Sequence, residues 1–558
     1  MAEETEPTRL WGWLDPDHPD PLAGKAAVES WLAGRLGLPA LTPTPASPLD
    51  PRKIRKSRLT ERMRRSLGTI FGEERWTDDP VARASRSLGQ SYPDQLERRA
   101  GRVAYVADAV VFPETSDEVV AVLAAAERSK FRVTPRAGGT SVVGGFAVAR
   151  SGPPWVILDL ARMDRVLTLS KIDRTVTAEA GIPLKALEAA LAPDWLTVGH
   201  YPQSFEGATL GGSIVANGSG QRSDRYGRVA ENLVSARLAT PSGLWSTESF
   251  RHAAGGPWLG GLVAGSEGLF GVLTDATVRL HRMPEHIEYR GWLLPSFAAA
   301  VQAVRQIEQD GHDLAMLRVS DEAETAFLSE YRLARDGLER PPFVERTLLR
   351  VRRVPSPACL VIAGYEGAKQ GTGRAFGAVA RIFSKAGGVA LGSRPGRSWH
   401  KSRYDTPYLR ESLMTRGLGV DTFETATAWS NLELLHAEIG RAISGAATAT
   451  LDGQARSMVL CHLSHAYVEG ASLYFTVIFP PAADPLGQWR AIKRASMQAI
   501  VANGGSISHH HGLGADHAEW AEAEKGAIGL KALGAVASAL DPKGVLATGA
   551  RKALPKNE

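Results

Sequence analysis

The chain has almost no cysteine: Cys359 and Cys461 are the only two in 558 residues. Two thiols cannot make a disulfide framework, so a reducing cytoplasm is expected and both read as small buried hydrophobes. Long apolar runs are missing too. A run such as Val119 to Ala126 falls far short of the roughly 20 residues a membrane span needs. The opening Met1-Ala2-Glu3-Glu4-Thr5-Glu6 is acidic with no apolar stretch behind it, so no secretory signal is expected, and Leu554 to Glu558 matches no address tag. The net charge is only +5, which does not suggest nucleic acid, and no recognition motif accompanies it. There is no internal repeat, no Rossmann G-x-G-x-x-G and no P-loop lysine motif.

What is present is a globular composition, 44% hydrophobic and 22% charged, in a chain too long for one core. Residues 1–45 run into the Pro/Thr-rich stretch Leu41 to Pro48, a linker or irregular loop. Arg52 to about Gln95 reads as helical and charged, with Ile54, Leu59, Met63 and Leu67 near one face among many arginines. That reads as a solvated helix packed on the body; contact with an anionic membrane surface is the other reading. Then the texture changes to short β runs between glycine turns. Val103 to Pro113 contains a strand, Thr115 to Glu118 offers a capping box, Val119 to Lys130 is an amphipathic helix, and Phe131 to Thr134 is the next strand. Trp155 to Leu160 and Arg174 to Gly181 follow as further β runs, and Pro183 opens a helix to about Leu191.

Glycine clusters in three places: Pro135 to Ser141, Gln203 to Gly212 continuing to Gly220, and Gly265 to Thr274. A pyrophosphate needs several convergent backbone N–H donors, and glycine lets the backbone approach closely in conformations other residues resist. Each stretch alone is an ordinary turn; three in order within about 140 residues suggest a ligand. The order Pro-x-x-Gly-Gly-Thr-Ser, Glu179-Ala180-Gly181, Thr-Leu-Gly-Gly, then Gly-Ser-Glu-Gly resembles the FAD domain of the vanillyl-alcohol oxidase and p-cresol methylhydroxylase superfamily. The resemblance implies FAD contacts from Pro135, Arg136, Ala137, Gly138, Gly139, Thr140 and Ser141. It implies further contacts from Gln203, Ser204, Phe205, Glu206, Gly207, Ala208 and Thr209, and from Ala216, Asn217, Gly218 and Ser219. The last set is Gly265, Ser266, Glu267, Gly268, Leu269, Phe270 and Gly271. Many members attach flavin through a histidine after the first loop; here Val142 to Phe146 holds neither His nor Cys, so the FAD is expected to be non-covalent.

Within that superfamily the chain resembles the alkyldihydroxyacetonephosphate synthases. Trp11-Gly12-Trp13, Gly199-His200-Tyr201-Pro202, Leu317 to Asp321, Tyr408 to Glu411, Asp421 to Trp429, Gly470 to Phe475 and Asn503 to Gly512 carry the likeness. It implies an α+β fold: a two-part FAD-binding domain, an α+β cap and an N-terminal helical extension. The expected boundaries are 1–98 for the extension, 99–284 for the FAD domain, 285–500 for the cap, and 501–558 for a segment carrying the histidines back to the FAD domain. The implied reaction exchanges the fatty acyl group of an acyl-dihydroxyacetone phosphate for a fatty alcohol, with no net redox. Such chemistry needs proton transfer at carbon, a cation for phosphate and an apolar channel. Tyr474 matches the family's proton donor and acceptor, and Leu473 and Phe475 beside it suggest a strand with alternating faces. Histidine moves protons near neutral pH, so His509, His510 or His511 is the candidate general acid or base. In an extended segment His509 and His511 would face one way and His510 the other. Arg410 and Arg318 match substrate-binding or otherwise important arginines, with forks suited to phosphate or carboxylate; from the residues alone, salt bridges to neighbouring acids are the plainer role. No carboxylate or cysteine lies at ligand spacing from the histidines, so no metal is expected. Departures are Asn217, where the family has arginine, and Gly207-Ala208 for bulkier residues. A homodimer and a small-molecule or lipid substrate are implied. The alternative is a redox flavoenzyme oxidising a 2-hydroxy acid, with Arg410 on the carboxylate.

Overall fold

A computed structural model describes residues 9–15, 17–146, 152–338, 340, 347, 350, 351 and 357–555. The first β layer is a four-stranded sheet in the order Trp76–Thr77, Ala109–Val111, Trp155–Asp159, Arg132–Arg136. Its last three strands are parallel. Parallel strands need a crossover, supplied between Ala109–Val111 and Arg132–Arg136 by the helix Ser116–Ser129. That helix begins as expected at Thr115, whose hydroxyl accepts the Glu118 amide at 3.2 Å. The reciprocal half of the capping box differs: Glu118 accepts from the Glu114 amide at 2.8 Å, because Arg75 draws its other oxygen to 2.6 Å. Pro183 precedes the helix Leu184–Leu191 rather than opening it.

Beside this layer lies an antiparallel five-stranded sheet ordered Val166–Ser170, Thr175–Glu179, Val272–Arg279, Leu233–Thr240, Gly243–Ser246. The two layers share one apolar core. The span read as continuously helical from Arg52 to Gln95 is broken into helices Glu61–Phe71, Pro80–Arg86 and Tyr92–Arg99 around the strand Trp76–Thr77. Prolines and glycines punctuate it. In the first helix Met63, Leu67 and Phe71 are buried in the shared core, so the apolar face proposed for a membrane is turned inward. Arg55 and Arg58 hold the buried carboxylate of Asp108 at 2.7 and 3.0 Å.

The third layer is a seven-stranded antiparallel sheet: Val389–Gly392, His286–Leu294, Cys359–Gly367, Met316–Ser320, Met458–Ala466, Gly470–Phe479, Gly419–Ala428. Helices Phe297–Gln309, Thr372–Lys385, Leu432–Thr448 and Pro485–Ala502 bury their apolar sides on one of its faces. Strand alternation decides what the other face carries: Leu473, Phe475 and Val477 point into the helix-covered core, so Ser472 and Tyr474 stand on the opposite side. The chain end returns to the first layer. Val133 donates to Val545 and accepts from Ala547, each at 2.9 Å.

Candidate active site

The glycine loops meet edge to edge. A Cβ on Gly138 would lie 2.0 Å from the Gly207 carbonyl oxygen, and one on Gly211 would lie 2.4 Å from the Ala180 Cβ and 2.8 Å from its carbonyl oxygen, so these backbones approach as only glycine permits. Gly265 and Gly268 have φ of 78° and 80°, and Asn217 and Glu267 share that left-handed region at 50° and 47°. Around the loops several buried polar atoms have no protein partner among the described residues: Asn217 Oδ1, Ser219 Oγ, Ser266 Oγ and Thr548 Oγ1. Both ring nitrogens of His200 are also unpartnered, and its ring lies beside Gly218. Buried polar groups are normally satisfied; orphans gathered along a backbone cradle mark where a polar ligand sits.

Three residues of the second loop face elsewhere. Gln203 donates to the Arg403 carbonyl at 2.6 Å, Glu206 accepts from Tyr408 at 3.1 Å, and Phe205 stacks on Tyr404 at 5.6 Å. In the third, Leu269 and Phe270 pack into an apolar cluster with Ala537 and Ala550. Arg136 bonds the carbonyls of Arg86 and Leu88 and covers Phe146.

The open face of the seven-stranded sheet turns toward this cradle. Register places Glu424 and His462 directly across from Tyr474 on its two sides. The Tyr474 ring stacks on His462 at 4.9 Å and on His510 at 5.8 Å, with His511 edge-on at 5.5 Å. A bulge between Leu463 and His465 lets His465 oppose Ser472 on the same face, although it lies an odd number of positions, three, from His462.

Glu424 shapes the histidine segment. Its buried carboxylate accepts the backbone amides of His509, His510 and His511 at 2.6, 3.2 and 2.9 Å, and the Ser508 hydroxyl at 2.7 Å. Residues 508–511 therefore wrap around a carboxylate instead of running extended, and the alternation expected of them is not observed. His510 and His511 both meet Tyr474, while His509 turns to the Tyr467 hydroxyl at 2.7 Å and to His510 at 2.9 Å between Nδ1 atoms. His465 Nε2 lies 3.0 Å from the Gly220 carbonyl, and ligand nitrogens of His465, His509 and His510 all lie within 4.8 Å of one another.

Burial governs the protonation states. It pushes Tyr474 up to about 12 and, against the pull of Glu424, His510 down to about 3. His465 falls to about 3, through burial and then His510, and His509 drops well below its ordinary value. For Glu424 burial works upward, but His510, His511 and His509 whenever protonated, and the His511 amide in every state, outweigh it, and the carboxyl stays well below its usual range. With the imidazoles neutral, the backbone amides are what keep Glu424 ionised. Near neutral pH the site thus presents a neutral phenol and free-base imidazoles around one fixed carboxylate.

Comparison with known proteins places this geometry. Residues 107–247 match the family described as FAD binding domain, and residues 283–550 match FAD linked oxidases, C-terminal domain. Alkyldihydroxyacetonephosphate synthase of Dictyostelium discoideum is 31% identical over 506 residues, covering 89% of this chain and 82% of that one. The chain belongs to the alkyldihydroxyacetonephosphate synthase family. A solved structure of such a synthase, 27% identical, has a TM-score of 0.77 over 94% of this chain and 90% of the other. p-Cresol methylhydroxylase with substrate bound, 13% identical, shares the fold at TM-score 0.66 over 92% of this chain and 99% of that one. FAD is the cofactor, and the orphaned polar atoms and glycine cradle fit it.

Within this synthase-family site both arginines are engaged. Arg410 donates to the carbonyls of Gln90 and Val420 at 3.0 and 3.1 Å and approaches Asp421 at 3.5 Å. Arg318 pairs with Glu324 at 3.0 Å, and the same oxygen lies 3.0 Å from His462 Nδ1. His200, His462, His465 and Glu424 were absent from the sequence-derived site. His200 lies inside a segment that carries the family likeness, and its residue type was the available signal. Glu424 also lies in such a segment, Asp421 to Trp429; it, His462 and His465 come from separate places in the strands that the register and the bulge bring together.

Proposed function

We infer that the protein exchanges the acyl group of an acyl-dihydroxyacetone phosphate for a fatty alcohol, forming an ether without net redox. The observation that carries this reading is Tyr474 held between His462 and His510, half-buried and neutral, on the face that meets the glycine cradle, in a chain of this family. FAD, held non-covalently, supplies the electrophilic ring beside which the substrate carbon reacts. Tyr474 suits proton exchange at that carbon because its hydroxyl remains protonated across the physiological range. His510 and His511, as free bases, take the proton on and return it. Glu424 fixes the imidazoles by fastening their backbone. Arg410 is the candidate phosphate ligand, by exchange of its carbonyl partners for substrate.

The test is transfer itself. Purified holoenzyme given acyl-dihydroxyacetone phosphate and labelled fatty alcohol should place the label in an ether, and 2-hydroxy acids should leave the flavin oxidised under anaerobic conditions. Flavin bleaching by a 2-hydroxy acid, reversed by an electron acceptor, would overturn the reading. Tyr474→Phe should retain FAD and lower turnover by about a hundredfold or more.

A further inference from the structure

On the far side of the seven-stranded sheet, away from Tyr474, a second group of titratable side chains gathers that the reaction does not use. Asp321 follows the strand Met316–Ser320, and its amide donates to the Cys461 carbonyl at 2.9 Å, which continues the pairing of Ser320 with His462. His436, from the helix Leu432–Thr448 packed above, brings Nε2 to 3.1 Å from Asp321 Oδ2. The ligand atoms of Asp321, His436 and Cys461 all lie within 4.8 Å of one another. Tetrahedral zinc ligands stand roughly 3.5 Å apart, so closure needs only small side-chain rotations.

The surroundings suit a metal rather than an ion pair alone. Asp321 Oδ1 is fixed by the Glu324 amide at 2.7 Å as a helix cap, which aims Oδ2 at the gap. The His436 ring is clamped by Phe297 at 4.3 Å and Phe475 at 5.8 Å. Cys461 is 1% exposed. Burial and the charges of Asp321 and Glu324 hold its thiol protonated, a penalty that a divalent cation reverses. Carboxylate, imidazole and thiolate together match the borderline-soft donor set of zinc.

We propose that Asp321, His436 and Cys461 form a structural zinc-type site that ties the sheet behind the catalytic face to its covering helix. Binding forms metal–sulfur, metal–nitrogen and metal–oxygen bonds in place of the hydrogen bond between His436 and Asp321, the imidazole proton residing on Nδ1; a water completes the tetrahedron, and the Cys461 proton leaves to solvent. The sequence separations, 115 residues from Asp321 to His436 and 25 from His436 to Cys461, resemble no metal motif, so only the fold reveals the group.

The test uses reduced, chelator-stripped holoenzyme titrated with cobalt(II), read as a difference spectrum against the flavin. The expected result is one equivalent bound with a near-ultraviolet thiolate-to-cobalt charge-transfer band. Cys461→Ala should abolish the band, His436→Gln should weaken binding at least about tenfold, and Cys359→Ala should leave both unchanged, each variant keeping its FAD. No bound cobalt, or cobalt bound without a charge-transfer band, as the cluster of His465, His509 and His510 would give, overturns the proposal. So does a band that survives Cys461→Ala.

Discussion

Asp516 lies against Gly144, with Oδ2 unpartnered among the described residues. Burial, opposed by Lys493 and aided by Asp94 and Asp421, pushes its carboxyl up to about 7. A raised carboxyl binds its proton more tightly folded than unfolded, so its contribution is fully present below the unfolded value and declines as pH rises to about 7. The shift is worth about 4 kcal/mol at most. Asp516→Asn should therefore come nearest the parent near pH ~4 and exceed it by a growing margin up to pH ~8, measured as the denaturation midpoint at each pH. Equal midpoints at both would mean that the charge is solvated. Residue type could nominate the triple histidine, and the family resemblance nominated Tyr474. Neither could show that Tyr474 is packed between imidazoles, nor that His510 is held as a free base, because desolvation comes from the other strands and from the flavin domain.

At the scale of elements, the legible features were those set by local chemistry. The Thr115 cap, the alternation around Tyr474 and the glycine loops follow from neighbours within a few positions. The bulge after Leu463 was not legible: alternation would put His462 and His465 on opposite faces, and one extra residue in the ladder reverses that. The wrapped segment at 508–511 was missed for a similar reason, since its shape is imposed by Glu424, 84 residues or more away. The loops themselves yield a sharper prediction. A Cβ on Gly138 meets backbone, not a movable side chain, at 2.0 Å. Gly138→Ala should force the first two flavin loops apart, costing about 1–3 kcal/mol, or ten- to hundredfold in FAD affinity. Flavin recovered in the supernatant after acid precipitation reads the retained cofactor and checks that the link is non-covalent. Gly255→Ala, where a Cβ meets nothing within 4 Å, is the control and should retain FAD fully.

At the scale of the whole molecule, the chain ends cross between layers. Leu14 packs on Gly207, and Arg99 pairs with Glu411, tying the N-terminal helices to the sheet layer that bears Tyr474. The C-terminal segment closes the flavin layer: Asp541 accepts the amides of Val545 and Leu546 at 2.7 and 2.9 Å. Leu546 then bridges to Val133, and Thr134 donates to Ala547. Val545 and Leu546 are buried in the flavin-layer core, whereas the seven-stranded sheet draws its core from other residues. Removing this segment should thus unbalance the layers unequally. Losing the buried Val545 and Leu546, the smaller buried Ala547 and Ala550, and several backbone hydrogen bonds costs on the order of 5 kcal/mol, most of it in the flavin layer. A chain ending at Leu540 is expected to purify without FAD and to unfold in two steps, an early one for the flavin layer and a later one at the parent's position. Differential scanning calorimetry with and without added FAD reads both. The milder Leu546→Ala should move only the early step, by lowering it, and excess FAD should restore it, because a ligand that binds only the folded layer stabilises that layer by mass action. A truncated chain that keeps FAD at the parent's affinity and unfolds in one step would show that the flavin layer closes without the returning segment.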